Sequence, residues 1–546
     1  MDRENALLPF VTNRAALLAH ITTTLQNDER FVAAWLTGSF GRGVQDDLSD
    51  LDVCVVVTDA ASERLCARPW QNGARTCDER LALFRQFGEP LLIYDAHENA
   101  PEDGVFTSVL YQESALNVDW MLVPQATARR GQATLPLFDK IGIPMEEPPA
   151  PASIEERAEN AALAAGFFWL MTPIAIKYLL RNKPVAFQDF LEGLHAAIED
   201  MRGQIAGEPV PYQRGAYAPL YLTQAERVAA LRRLCADVLE LMPAIAQMGG
   251  YVPANPMSVV DSWLAMVDHP ELHKAYAANR EAVLARIVET FQADERFVAF
   301  WLAGSYGRGE QDELSDLDVR LVVADICVER LCHVSWESAR PRATEERLAL
   351  VSQFGKPGIV WESRSWVGEG SSFTLTHYSG TGLHIDWVLL PQTNARIERE
   401  AVVLFDKAGL PEESPPELAS QEQRAILAAD KVGFFWMSAA ESVKYLARGD
   451  LAYFHMLLDR LHNALGEARA ALQGKPYYYQ HEAALVLTYE EQVAALRDLC
   501  QRMLEFMPEV AGTEGYIPDA PMTVIETRLA LAAQITYDIS LDNERS

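Results

Sequence analysis

The chain has 546 residues, 49% hydrophobic and 23% charged, the balance of an ordinary globular protein and enough length for several domains. A formal net charge of -30 argues against the extended basic face that nucleic acid requires, and suits either a small cationic substrate or simply a well-solvated surface. The seven cysteines (Cys54, Cys66, Cys77, Cys235, Cys327, Cys332 and Cys500) are odd in number and contain no C-x-x-C. Neither a disulfide framework nor a zinc site is indicated, and a reducing cytoplasm is expected.

The start, MDRENALLPFVTNR, lacks the basic and apolar regions of a signal peptide. Residues 12–28 predict an amphipathic helix through Leu17, Leu18, Ile21 and Leu25. An apolar strand follows at Phe31 to Leu36, then a turn at Gly38-Ser39 and a bare backbone at Gly41-Arg42-Gly43. A second apolar strand, Val53 to Val57, continues directly from Asp50-Leu51-Asp52. Side chains two apart on a strand point the same way, so Asp50 and Asp52 share a face. Two carboxylates there are costly unless a cation lies between them, and oxygen-only ligands suit a hard divalent ion such as Mg²⁺. The N–H groups of the Gly38-Ser39 turn are suited to hold the phosphates such an ion brings with it.

Asp59 to Leu65 and Glu79 to Phe87 predict helices, and Leu91 to Tyr94, Phe106 to Tyr111 and Leu116 to Val123 predict strands. Proline clusters at 148–151 and 415–416 mark linkers. Helices restart at the capping boxes Ser153/Glu156 and Ser420/Gln423, and later ones at Thr223/Glu226 and Thr488/Glu491, running to Met242 and Met507. The most apolar window, Ala161 to Ile176, contains Thr172 and Pro173 and stops at Lys177. It falls short of the ~20 residues a membrane span needs, so a core helix and no membrane contact are expected.

The whole pattern occurs twice. WLTGSFGRGVQDDLSDLDVCVVV at 35–57 returns as WLAGSYGRGEQDELSDLDVRLVV at 301–323, and LNVDWMLV returns as LHIDWVLL. G-S-F/Y-G-R-G, a spacer and S-D-L-D resemble the signature of the polymerase-beta-like nucleotidyltransferase superfamily, nearest to the bacterial aminoglycoside and lincosamide nucleotidyltransferases and the minimal nucleotidyltransferases. The resemblance implies an α+β chain: two tandem copies of a mixed-sheet nucleotidyltransferase domain, each followed by an α-helical bundle. The boundaries expected are 1–147, 152–266, 267–413 and 419–546, with the repeats joined near Asp268-His269-Pro270. P-L-F-D-K and V-L-F-D-K then resemble the closing strand of the antibiotic-modifying members.

The same resemblance implies a third carboxylate on a neighbouring strand, at Asp119 and Asp386, and two Mg²⁺ per site, with Mn²⁺ as a substitute. The metal and catalytic residues expected are therefore Asp50, Asp52 and Asp119, and Asp316, Asp318 and Asp386. Nucleotide contacts are expected from Gly38, Ser39 and Arg42, and from Gly304, Ser305 and Arg308. K-Y-L-L-R and K-Y-L-A-R place Lys177/Arg181 and Lys444/Arg448 on one helix face, and related enzymes reach the triphosphate with such a base. Glu113 is a further candidate base, but Gly380 replaces it in the second repeat. Asp46, Asp47, Asp312 and Glu313 read as solvated spacer, and Phe167-Phe168-Trp169 and Phe434-Phe435-Trp436 as core rather than a nucleobase shelf.

The activity expected is transfer of AMP from ATP, or of another nucleotide from its triphosphate, to a hydroxyl of a small cationic acceptor such as an aminoglycoside or lincosamide. The competing readings are a protein-modifying enzyme of the minimal type and a catalytically silent nucleotide-binding protein. The two repeats are expected to pack as an internal pseudo-dimer, each cleft lined partly by the other repeat's helical domain.

Overall fold

The computed structural model describes residues 3–67, 76–96, 99–112, 114–147, 150–208, 220–335, 342–363, 368, 370–414, 419–512, 518 and 520–543. Helix α1 (Arg3–Asn27) starts nine residues before the expected helix, with Pro9 inside its early turns. Strand β1 (Phe31–Leu36) runs into a short helix α2 (Gly38–Arg42) where a turn was expected, then β2 (Leu51–Val57). Next come α3 (Asp59–Leu65), α4 (Asp78–Phe84), β3 (Pro90–Asp95), β4 (Val105–Tyr111), β5 (Asn117–Pro124) and β6 (Leu135–Asp139). Four helices follow: α5 (Ile154–Leu180), α6 (Pro184–Ala206), α7 (Gln224–Gln247) and α8 (Met257–Asp268). The expected domain boundary at 266/267 therefore falls inside α8.

The series then repeats. Helix α9 (Leu272–Ala293), β7 (Phe297–Leu302), α10 (Gly304–Gly307) and β8 (Leu317–Val323) lead to α11 (Val328–Leu331), the short β9 (Val334–Ser335) and β10 (Arg342–Ala343), and α12 (Glu345–Val351). Strands β11 (Pro357–Ser363), β12 (Ser372–Tyr378), β13 (His384–Pro391) and β14 (Val402–Asp406) complete it, before helices α13 (Gln421–Arg448), α14 (Leu451–Gln473), α15 (Tyr489–Ala511) and α16 (Pro521–Asn543). The four capping boxes form at Ser153, Thr223, Ser420 and Thr488.

Each sheet has six strands in the same order, β3-β4-β5-β2-β1-β6 and β11-β12-β13-β8-β7-β14. Only the central pairs β2–β5 and β8–β13 are parallel; the other neighbours are antiparallel. Such mixed sheets bury their central strands, which is why β1 and β2 read as near-continuous apolar runs. Trp120 and Trp387 are fully buried, stacked on Phe87 and Phe354 at 5.3 and 5.7 Å between ring centroids. The closing D-K pairs are structural: Lys140 Nζ donates to Asp28 O and Phe31 O at 2.9 and 2.6 Å, and Lys407 repeats this.

The compact units do not follow the sequence repeats. One unit comprises residues 1–149 and 417–546, the other residues 150–416. Each six-stranded sheet thus packs with the helices of the other repeat. Close packing of helix on edge strand explains a glycine in each long helix. A Cβ at Gly433 would lie 2.8 Å from the Tyr94 ring, and one at Gly166 would lie 2.4 Å from Trp361. Helix α5 is long and apolar enough to cross a membrane, but 61% of its apolar window is buried.

Candidate active site

In the first unit the signature residues hold one another in place. Gly38 has φ +57, and a Cβ there would sit 2.0 Å from Asp52 Oδ2, so the turn and the carboxylate require a glycine. The Thr37 N–H donates to Asp52 O at 2.9 Å. Parallel pairing of β2 and β5 sets Asp52 directly opposite Asp119, an internal position of the sheet and not a solvent-facing edge. Ser108 hydroxyl from β4 and, at 3.0 Å, Asn117 Nδ2 from β5 itself both donate to Asp119 Oδ1. Asp50, just ahead of β2, accepts from Lys444 Nζ at 2.5 Å and has Arg528 Nη2 at 3.9 Å.

These groups line a cavity of about 450 Å³ with Gly38, Ser39, Arg42 and Glu441, walled by Tyr94 and Phe434. That volume suits a small-molecule ligand. Phe435 and Trp436 are core as expected, but Phe434 faces the cavity, its ring 6.4 Å from that of Tyr94.

The acidic spacer is not simply solvated. Arg448 forks onto Asp46 through Nε and Nη2, both at 2.8 Å, one helical turn beyond the Lys444–Asp50 contact. Cations four apart on α13 therefore meet carboxylates four apart in the loop. Arg181 and Lys177 repeat the ladder on Asp312 and Asp316, with Lys177 Nζ 2.8 Å from Asp316 Oδ2. From α1, the buried Arg14 donates to the carbonyls of Asp46, Asp47 and Ser49, and Arg280 does the same from α9. Lys177 and Lys444, expected to reach a triphosphate, each bond a motif carboxylate here.

Burial raises the carboxyls, and neighbours decide the outcome. Burial and the charge of Asp50 push Asp52 up to about 6, and burial with Asp52 pushes Asp119 up to about 7. Burial alone would raise Asp50 too, yet Lys444 and Arg528 hold it below the usual range. Among the described residues, no three His, Cys, Asp or Glu side chains already converge as a metal cage.

The second unit keeps the frame and changes the contents. Gly304 has φ +58, with Asp318 Oδ2 1.9 Å from where its Cβ would be, and Asp318 faces Asp386 across β8 and β13. The Ser305 hydroxyl is buried without a hydrogen-bond partner, and Arg308 Nε donates to Glu310 at 2.7 Å. Where the first unit has Asn117, His384 puts Nδ1 3.0 Å from Asp316 and Nε2 2.8 Å from Asp386. Burial would lower this imidazole's pKa, but Asp386 and Asp316 push it up to about 9. Burial, with Asp316 and Asp386 adding to it, raises Asp318 to about 6, whereas Lys177 and His384 overcome burial to hold Asp316 well below the ordinary range.

Each unit therefore gathers its glycine turn, its three aspartates and a lysine from the other repeat. Glu113 lies outside the described residues, as do Pro148, Pro149, Pro415 and Pro416 of the linkers. Sequence reasoning missed Arg528, Arg14, Arg280 and Glu441. An arginine in the apolar run VIETRLALAA and a glutamate in SAAESVKYL were the available signals.

The family model "Putative nucleotidyltransferase DUF294" matches residues 257–372. The stretch runs from α8 to the first residue of β12, takes in Gly304, Ser305, Arg308, Asp316 and Asp318, and ends before His384 and Asp386. It supports a nucleotidyltransferase domain in the second unit. No curated protein matches the chain.

Proposed function

We propose that the first unit is a metal-dependent nucleotidyltransferase that moves AMP from ATP to a hydroxyl of a small cationic compound, of which aminoglycosides and lincosamides are the leading candidates. The observation that carries this reading is the cavity of about 450 Å³ in which Ser39 and Arg42 face three aspartates on adjoining strand ends. The donor set fits a hard divalent cation: it is oxygen-only, and burial with mutual repulsion leaves Asp52 and Asp119 near 6 and 7. Asp50, Asp52 and Asp119 would hold Mg²⁺, which when bound neutralises phosphate charge and acts as a Lewis acid.

The chain's own groups do the rest. Ser39 and Arg42 hold the β- and γ-phosphates, so that the α-phosphorus faces the aspartates. The acceptor's hydroxyl oxygen attacks that phosphorus in line, the bond to the bridging oxygen breaks, and pyrophosphate leaves with the electron pair. A cavity carboxylate takes the hydroxyl proton, and Asp119 is the one this reading assigns to it. Tyr94 and Phe434 offer apolar ring faces to the base. Glu441 is the lining carboxylate outside the aspartate triad and is the group this reading offers to a cationic acceptor.

Incubation with α-labelled ATP, Mg²⁺ and a panel of aminocyclitol and lincosamide compounds tests this. Label on a small acceptor is the expected result. Label on protein would establish protein modification instead, and tight ATP binding without turnover would establish a silent binder.

A further inference from the structure

The two units differ at a pair of equivalent positions, and the differences compensate one another. Arg528 of α16 and Trp263 of α8 occupy the same place in the sequence pattern, PMTVIETR against PMSVVDSW. Both donate to the same backbone position of their sheet: Arg528 Nε to Ala115 O at 3.1 Å, Trp263 Nε1 to Gly382 O at 2.9 Å. The first unit therefore brings a cation from the helical side, behind Asp50. The second unit has no charged side chain at that helix position, and there the strand contributes the His384 ring.

The strand position is the consequential one. The His384 side chain is only 2% exposed and touches Asp316 through one ring nitrogen and Asp386 through the other. His377, fully buried, stacks on it at 4.3 Å between centroids, and Lys177 approaches the same Asp316 oxygen. In the first unit the corresponding residues are Asn117 and Leu110, and Asn117 bonds Ser108 and Asp119.

We propose that the two sites are not equivalent: in the second unit the His384 ring stands between Asp316 and Asp386 where a divalent cation would have to bind, so only the first unit assembles a metal–nucleotide site. This rests on the metal-dependent reading of the first unit. The second unit keeps its glycine turn and aspartates as the frame that Lys177, Arg181 and His384 bind, which is a structural use of the same signature.

The test is the number of Mn²⁺–nucleotide equivalents bound per full-length chain, measured by calorimetry with α,β-methylene-ATP and by the Mn²⁺ resonance signal. One equivalent is expected for the wild type. His384→Asn, which installs the first unit's residue, should raise the count to two, and Asn117→His should weaken the single site at least tenfold. Two equal sites in the wild type, or a count that stays at one in a folded His384→Asn chain, would overturn the inference and leave the proposed function standing. Should His384→Asn fail to fold, Asn117→His decides: loss of the single equivalent supports the inference and unchanged affinity overturns it. No Mn²⁺–nucleotide binding by any variant would overturn the proposed function, and this inference with it.

Discussion

Lys444 and Asp50 are 394 residues apart in sequence and joined side chain to side chain, with Arg448 and Asp46 joined one helical turn away. The helix of one repeat supplies the cations that the loop of the other binds. Removing one member of a largely buried ion pair leaves a charge uncompensated, which costs more than the pair contributes. Lys444→Met should lower the unfolding free energy by about 2–4 kcal/mol and abolish turnover, whereas Lys444→Met/Asp50→Asn should regain much of the stability and none of the activity. Chemical denaturation of these two variants and of Asp50→Asn alone measures this, and additive losses would contradict it.

The acidic pair makes a prediction of opposite sign. Asp52 and Asp119 titrate near 6 and 7 in the folded chain, above the ordinary 3.8, so between about pH 4 and 7 the folded state binds more protons than the unfolded one. Their contribution to stability is therefore present at low pH and declines as pH rises through that window. In metal-free buffer at pH 8, Asp119→Asn should unfold at a higher temperature than the wild type, by an amount worth about 1–2 kcal/mol, while losing at least ~1,000-fold in activity. A thermal melt at pH 5 should show the difference shrinking.

Two glycines of the motif should behave differently when given the same methyl group. At Gly38 a Cβ meets Asp52 Oδ2 at 2.0 Å, and at Gly43 it meets open space, though φ is positive at both. Gly43→Ala should cost about 1 kcal/mol, the backbone penalty alone. Gly38→Ala should cost at least ~2 kcal/mol and displace the carboxylate, so activity should fall with it.

Ser39 and Arg42 line the same cavity as Asp119, and the proposed function gives them the leaving phosphates rather than the acceptor. Ser39→Ala and Arg42→Ala should raise the nucleotide KM about 10-fold, with the acceptor KM little changed. Equal effects on both substrates would place these residues elsewhere.

The crossed connectivity also predicts how the chain divides. Residues 150–416 form a contiguous unit and should fold when expressed alone. Residues 1–266 hold Asp46 and Asp50 without Lys444 and Arg448, and should be unstable unless residues 417–546 are supplied in trans. A stable, monomeric 1–266 fragment would contradict this.

Much of this architecture is local and was therefore legible. The strands announce themselves as apolar runs, the capping boxes start the helices they should, and Gly38 and Asp52 are coupled so tightly that one implies the other. What escaped is what depends on partners distant in sequence. Helix α8 begins at Met257 behind Pro256, which supplies no side-chain cap, so no capping box marked its start. Asp46 and Asp312 read as solvated because their arginines lie more than 130 residues away on other elements. Arg528 carries charge in an apolar helix for a reason visible only once Ala115 O is beside it.

The order of synthesis gives the crossed pairing a cost in time. Translation delivers Asp50 first and Lys444 394 residues later, an interval of about 20–80 s at 5–20 residues per second. The second unit is complete as soon as residue 416 has emerged, and Lys177 is made before the Asp316 it will bind. The first unit is the opposite case: its carboxylates wait on the ribosome without their cations until the last quarter of the chain arrives. A nascent chain stalled before residue 444 thus carries one finished unit and one acidic domain still lacking its counter-charges.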